Sequence, residues 1–303
     1  SGAGGRLRGG DGMTSRFFVG DSTEYVRWRG RKLGGKPRGI NDLLVEVGDP
    51  FSHRPLERSA LLDRCRRFNM VIYRSSAVDP DTSIPRAMGA QLGLHRLDAN
   101  WLADEDGISP IAVATPSEGR ADFIPYTSRA INWHTDGYYH PESRCIRGMV
   151  LHCVRAAAEG GDTALMDHEL AYIAVRDSSI DWIRALMAPD AMTIPARMGA
   201  DGVSREAQSG PVFSVDPDSG ELHMRYTART RSVIWKEDPT TQDAAAFLRS
   251  IMAGDENIHR LRLEPGMGLV CNNVLHDRTG FTDDPAKPRL LYRARYLDRV
   301  SRA

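Results

Sequence analysis

Asn132-Trp133-His134-Thr135-Asp136-Gly137-Tyr138-Tyr139 sets an imidazole and a carboxylate two residues apart inside a run of β-formers. In an extended strand, residues i and i+2 leave the same face about 6–7 Å apart. His134 and Asp136 can therefore converge on one metal ion while Thr135 points away. A second imidazole would complete two histidines and one carboxylate, the facial set that holds Fe(II) and leaves positions open for a cosubstrate and O2. Alone, a His-x-Asp triplet is more often a polar pair of the surface or core than a metal site. The rest of the chain has to supply the third ligand.

Working outward, His276 is that candidate, in Cys271-Asn272-Asn273-Val274-Leu275-His276-Asp277-Arg278 at the end of an apolar strand expected over Leu269 to Leu275. The turn Glu264-Pro265-Gly266 introduces this strand. Beyond it, Arg289-Leu290-Leu291-Tyr292-Arg293 opens the last strand, with Arg289, Leu291 and Arg293 on one face. An inward guanidinium there would clamp a dicarboxylate bidentately.

Strands are expected at Met70–Tyr73, Ile108–Ala114, Ile131–Trp133, Cys145–Val154 and Thr163–Met166. A hairpin is expected around Asp216 to Gly220, and a strand at Arg260–Leu263. Helical spacing marks Pro55–Phe68, Ser83–Leu94, Glu169–Met187 and Thr241–Ala253. Phe17 to Asp49 reads as an irregular entry segment and Asp98 to Gly107 as an acidic loop. The pattern predicts a mainly β sandwich, a jelly roll braced by flanking helices, rather than alternating βαβ units.

The chain has 303 residues, with 40 Lys+Arg against 40 Asp+Glu. That balance gives no bulk attraction to nucleic acid or to an anionic membrane. Cys65, Cys145, Cys153 and Cys271 form no CxxC pair, so neither a zinc ribbon nor a disulfide framework is expected, and a reducing cytoplasm suits them. No apolar run approaches the roughly 20 residues that span a bilayer. Residues 1–12 hold six glycines and no apolar core, and read as a tag remnant or disordered leader before one domain over 13–303.

The motifs His134-Thr135-Asp136, Gly160-Gly161-Asp162-Thr163, Leu275-His276 and Arg289 with Arg293 together resemble the taurine dioxygenase family of Fe(II)/2-oxoglutarate oxygenases. Two segments resemble its γ-butyrobetaine dioxygenase branch: Tyr126-Thr127-Ser128 with Leu151-His152-Cys153, and Met224-Arg225-Tyr226 with Arg229 and Arg231. The resemblance implies a double-stranded β-helix (cupin-like) over about 120–298, with a helical insert over about 169–255. It implies Fe(II) on His134, Asp136 and His276, and 2-oxoglutarate held by Thr163 and Arg289, with Arg293 beside a substrate or cosubstrate carboxylate. Tyr126 takes a position that the branch uses in an aromatic cage for a quaternary ammonium.

Asn132, Tyr138, Tyr139 and Arg225 are the further substrate candidates around the motif. Arg225 and Arg231 could instead pair with acidic residues such as Asp238. His140 and His168 read as solvated or capping residues, His152 as a core histidine, and Cys153 and Cys271 as small core residues. The implied chemistry is C–H oxidation of a small polar molecule by O2, with succinate and CO2 as coproducts. Hydroxylation, desaturation and C–N cleavage remain open, as does a homo-oligomer, dimer or tetramer. A zinc-dependent hydrolase or a non-catalytic jelly roll could use the same ligands.

Overall fold

The computed structural model describes residues 15–99, 107–114 and 119–301, the side chain of Asp122 excepted. The leader 1–12 and the centre of the expected acidic loop, 100–106, lie outside the described residues.

Two sheets form the centre. The larger runs in the order Leu44–Glu46, Met70–Arg74, Met267–Cys271, Gly148–Arg155, Leu290–Tyr296, Ser109–Ile111. Only its first pairing is parallel. The smaller sheet, antiparallel throughout, runs His259–Leu261, Thr163–Met166, Leu275–Arg278, Ile131–His134.

Side chains alternate between the two faces of a strand, and the buried clusters follow that alternation. Met149, Cys153, Leu269 and Leu291 of the larger sheet meet Leu165 of the smaller between the two layers. Val150, Val154, Tyr292 and Ala294 face outward instead, with Leu61, Cys65 and Met88 of the Pro55–Phe68 and Ser83–Ala90 helices. On the opposite outer face, Trp133, Ala164, Met166 and Leu275 pack under the Thr23–Gly34, His168–Ser178, Ile180–Leu186 and Pro239–Met252 helices. The result is the expected jelly roll with helices on both flanks. By the same alternation His134, Thr163 and His276 turn inward, because their neighbours Trp133, Ala164 and Leu275 turn out.

Four local expectations need correction. The helix expected over Glu169 to Met187 is two helices, His168–Ser178 and Ile180–Leu186. Ser179 between them is extended, and its side chain accepts from Trp182 N–H at 3.2 Å to start the second. The strand expected over Leu269 to Leu275 divides between sheets: Met267–Cys271 joins the larger and Leu275–Arg278 the smaller. Asn273, at φ 53°, turns the chain between them. The entry segment contains the Thr23–Gly34 helix, whose apolar face (Tyr25, Trp28) is hidden among basic residues in the sequence. Residues 192–210 and 234–235 of the insert fold as short strands rather than helix, beside the expected hairpin of Phe213–Val215 with Leu222–Met224.

Candidate metal centre and substrate pocket

The Ile131–His134 strand stops at His134, so Asp136 lies in the turn after it rather than on the strand itself. Gly137 makes that turn at φ 67°, and a Cβ there would sit 2.5 Å from Ile146 Cγ1. The turn still brings the Asp136 carboxylate to the imidazoles. Asp136 Oδ1 lies 3.3 Å from His134 Nε2 and 3.1 Å from His276 Nε2. His276 arrives on the neighbouring strand, in direct register with His134. One ligand atom from each residue lies within 4.8 Å of the others, the one such group among the described residues.

The groups around the triad fix how it presents itself. His134 Nδ1 donates to Asn132 O at 2.8 Å, and His276 Nδ1 donates to Val274 O at 2.9 Å. Both bonds direct the proton to Nδ1 and leave the Nε2 lone pairs facing the centre. Burial and the neighbouring His276 push the His134 pKa down, which favours the neutral, ligating form. Burial alone would raise Asp136. The Arg293 guanidinium, 3.4 Å from Oδ2, and the two imidazoles outweigh it and hold the carboxyl well below the usual carboxylate range. Oδ2 is buried with no hydrogen-bond partner. Two bared imidazole nitrogens and an anionic, under-satisfied carboxylate are the donor set a divalent iron site requires.

A narrow cavity of about 60 Å³ opens beside the triad, lined by His276, Thr163, Arg289, Arg293 and Leu291 among others. Arg289 is buried, which pushes its pKa down, and among the described residues no carboxylate lies within ion-pair distance of its guanidinium. It rests over the Phe281 ring at 5.0 Å. Gly161 makes room for it: at φ 73°, a Cβ there would come within 3.1 Å of Arg289 Nε. Arg278, which sequence reasoning missed, covers Phe281 at 4.9 Å and donates to the carbonyls of Pro125, Thr127 and Arg129. It thereby ties the Tyr126 segment to the wall of this cavity.

A second cavity of about 380 Å³ shares His134 and Arg293 with the first and is lined by Tyr126, Asn132, Tyr138 and Tyr139, four of the expected substrate residues. Arg225, the fifth, is not in its lining. Its guanidinium donates to the carbonyls of Tyr138, Met192 and Gln208 at 2.8 Å each, so it is a buried strut rather than a ligand-facing cation. It does not pair with Asp238, which caps the Pro239–Met252 helix.

Among the described residues five arginines do line the cavity, Arg197, Arg205, Arg229, Arg293 and Arg295, against Asp136 as the one carboxylate. Arg293 is paired with Asp136, and Arg295 with Asp98 at 3.2 Å. Such a wall repels a quaternary ammonium, so the cage expectation for Tyr126 does not suit this pocket. Arg197 and Arg205 were not singled out from the sequence, where only their placement around a Gly199–Gly202 turn hinted at them.

The expected roles of three histidines separate here. His152 is the core histidine expected, between Tyr73 OH at 2.7 Å and Ala77 O at 2.9 Å. His140 and His168 are buried, not solvated, and bond to the carbonyls of Arg144 and Leu222; the cap of the His168–Ser178 helix is Asp167.

Residues 91–295 match the family model described as taurine catabolism dioxygenase TauD, TfdA family. A uridine-5'-phosphate dioxygenase of an Amycolatopsis species is 38% identical over 173 residues, 55% of this chain and 60% of that protein. A uridine-5'-phosphate dioxygenase of a Streptomyces species is 30% identical over 196 residues, 62% of this chain and 70% of that protein. The chain thus spans less than two thirds of the first relative. Among solved structures, an asparagine oxygenase in complex with Fe(II), 2S,3S-3-hydroxyasparagine and succinate superposes with a TM-score of 0.56 at 17% identity, over 84% of this chain and 93% of that one. That likeness is one of fold. With the family model covering most of its length, the chain belongs to the TauD/TfdA dioxygenase family.

Proposed function

We propose that this chain is an Fe(II)- and 2-oxoglutarate-dependent oxygenase that oxidises a C–H bond of a small phosphate-bearing molecule, of the nucleoside 5'-phosphate kind. The observation that carries the reading is one donor set serving two cavities. His134 Nε2, His276 Nε2 and Asp136 face a common point, with a narrow arginine-ended pocket on one side and a wider arginine-lined one on the other.

His134, Asp136 and His276 would hold the iron. Thr163 and Arg289 would take the far carboxylate of 2-oxoglutarate in the narrow cavity, where among the described residues no carboxylate lies within ion-pair distance of the buried guanidinium. Arg293 stands between the cavities and keeps Asp136 ionised. Tyr126, Asn132, Tyr138 and Tyr139 shape the substrate wall and exclude water. Bound iron with 2-oxoglutarate supplies the oxidising chemistry: one atom of O2 enters succinate as CO2 leaves, and the other goes to the substrate carbon.

Phosphate is favoured over a neutral group by three arginines without carboxylate partners among the described residues, and by the uridine-5'-phosphate dioxygenases among the relatives. Among the described residues no helix is long and apolar enough to cross a membrane, and the four cysteines are unpaired, which suits a reducing cytoplasm. A homo-oligomer remains part of the proposal from the family resemblance alone.

The test is anaerobic addition of Fe(II) and 2-oxoglutarate, read by the visible charge-transfer band, then repeated with Asp136→Ala. The band should form in the unmutated protein and vanish in the variant. Its absence from the unmutated protein would leave the zinc hydrolase or silent jelly roll standing. Substrate-stimulated succinate formation across nucleotides, nucleosides, amino acids and sulfonates then tests the substrate class.

A further inference from the structure

The insert contributes a hairpin, Arg197–Gly199 with Gly202–Arg205, whose two ends enter the wider cavity. Gly202 pairs with Gly199 and Val203 with Met198, after which the register slips and Arg205 pairs with Arg197. The slip decides which way Arg205 faces. In an unbroken strand Arg205 would share a face with Val203, two residues before it. A bulge at Ser204 re-aims it, and Ser204 Oγ fixes the bulge by donating to Arg197 O at 3.0 Å. Met198 and Val203 are left pointing to solvent, 67% and 51% exposed, while Arg197 and Arg205 both line the cavity.

Two arginines opposite one another across a strand pair repel, and such pairs are destabilising unless something answers the charge. Nothing described does. Among the described residues neither Arg197, Arg205 nor the nearby Arg229 has a carboxylate within ion-pair distance. Arg205 spends one nitrogen on Pro195 O, and its Nε is buried without a partner. The two guanidiniums are otherwise braced on aromatic faces, Arg197 over Phe123 at 4.2 Å and Arg205 over Tyr139 at 5.1 Å. Arg229 follows Thr227, whose backbone bridges to His134, so the cationic group is anchored to the strand that carries a metal ligand.

We propose that the bulged hairpin is a clamp for a phosphate monoester, with Arg197 and Arg205 gripping the phosphoryl oxygens from opposite strands and Arg229 completing the charge. A phosphate monoester presents three acceptor oxygens and close to two negative charges at neutral pH. It can bridge two planar guanidiniums, whereas one arginine suffices for a carboxylate. The clamp deepens the substrate reading above and rests on it for what is oxidised, but anion binding is measured without turnover.

The experiment uses the full chain and follows binding of uridine 5'-monophosphate, inorganic phosphate and uridine by calorimetry, with the anaerobic Fe(II)/2-oxoglutarate band as a separate readout. Arg197→Gln and Arg205→Gln should each weaken uridine 5'-monophosphate binding by about 10- to 100-fold, the worth of one or two charge-assisted hydrogen bonds. Uridine binding and the band should be unchanged. Arg205→Lys should recover part of the loss, and each Gln variant should leave the thermal midpoint of the free protein equal or higher, because a like-charge pair is relieved. A merely structural role would lower that midpoint instead. Nucleotide binding that survives the double Gln variant with the band intact, or an unmutated protein that binds neither phosphate probe, overturns the clamp. An absent band with intact phosphate binding overturns the oxygenase reading and leaves the clamp.

Discussion

Asn273 holds the Asp136 backbone on both sides of its Cα. The Asn273 side-chain oxygen accepts from Asp136 N–H at 2.7 Å, and its amide nitrogen donates to Asp136 O at 2.9 Å and to Ile146 O at 2.6 Å. Because Asp136 sits in a turn and not on a strand, no ladder hydrogen bond fixes it, and Asn273 supplies what the sheet does not. Asn273 itself stands in the left-handed region at φ 53°, a conformation asparagine tolerates. Groups that orient metal ligands are worth about 10- to 100-fold in metal affinity. Asn273→Gly keeps the backbone turn and removes the clamp, so Fe(II) affinity should fall by about that factor, measured by anaerobic titration. Asn273→Asp should fall at least as far, since a carboxylate cannot donate to the two carbonyls.

Arg289 has its room from Gly161, and the two positions should fail alike. Arg289→Ala removes the cation proposed to bind the far carboxylate of 2-oxoglutarate and should raise its KM by about 10- to 100-fold. Gly161→Ala adds a Cβ 3.1 Å from Arg289 Nε at a φ of 73°, so it displaces the same guanidinium and should raise the same KM. Steady-state kinetics with 2-oxoglutarate varied checks both. A normal KM in Arg289→Ala would remove Arg289 from the cosubstrate site.

The inward facing of His134 and His276 was legible because each lies on a strand whose apolar alternation survives in the sequence, whereas Asp136 reaches them from a turn that the i, i+2 argument did not describe. Thr163 came from the family resemblance and opens the Thr163–Met166 strand. Arg289 stands one residue before the Leu290–Tyr296 strand, whose register slips between Leu290 and Leu291, so counted alternation does not fix its facing. The clamp of Asn273 was not legible, since its partners are carbonyl and amide groups that every residue carries. Arg225 was misread by the same blindness: its acceptors, the carbonyls of Tyr138, Met192 and Gln208, leave no trace in side-chain chemistry. The facing of Arg205 depends on a one-residue bulge, and a bulge shifts an alternation that sequence reading has to assume is unbroken.

Arg225→Met tests that reassignment. Removing a buried guanidinium strands several carbonyls and should destabilise the fold by about 2–4 kcal/mol, seen as a lower denaturant midpoint. Binding should weaken for charged and uncharged ligands alike, because the wall beside Tyr138 loosens. A selective loss for anionic ligands, with stability intact, would return Arg225 to the substrate site.

Lys32 lies within 2.5 Å of Asp167 and 3.6 Å of Glu169, and joins the Thr23–Gly34 helix to the start of the His168–Ser178 helix. Asn69 donates to both carboxylates from the other side. Burial would raise Glu169, but Lys32 and neighbouring groups outweigh it and hold its pKa below the ordinary 4.5. The sign follows from that depression. The unfolded chain binds the proton more tightly, so the stabilisation is present above the unfolded pKa of 4.5 and is lost as pH falls through the lower folded value. Lys32 is raised from 10.5, despite burial, by the same two carboxylates, so its contribution is full below 10.5 and is lost above it. Lys32→Met leaves two buried carboxylates short of a cation and should cost about 3–5 kcal/mol near neutrality. Urea unfolding at a series of pH values checks this: the gap between the unmutated protein and the variant should be widest at neutral pH and narrow below 4.5. A gap that stays constant down to acid pH would mean that Lys32 acts through packing and not through its charge.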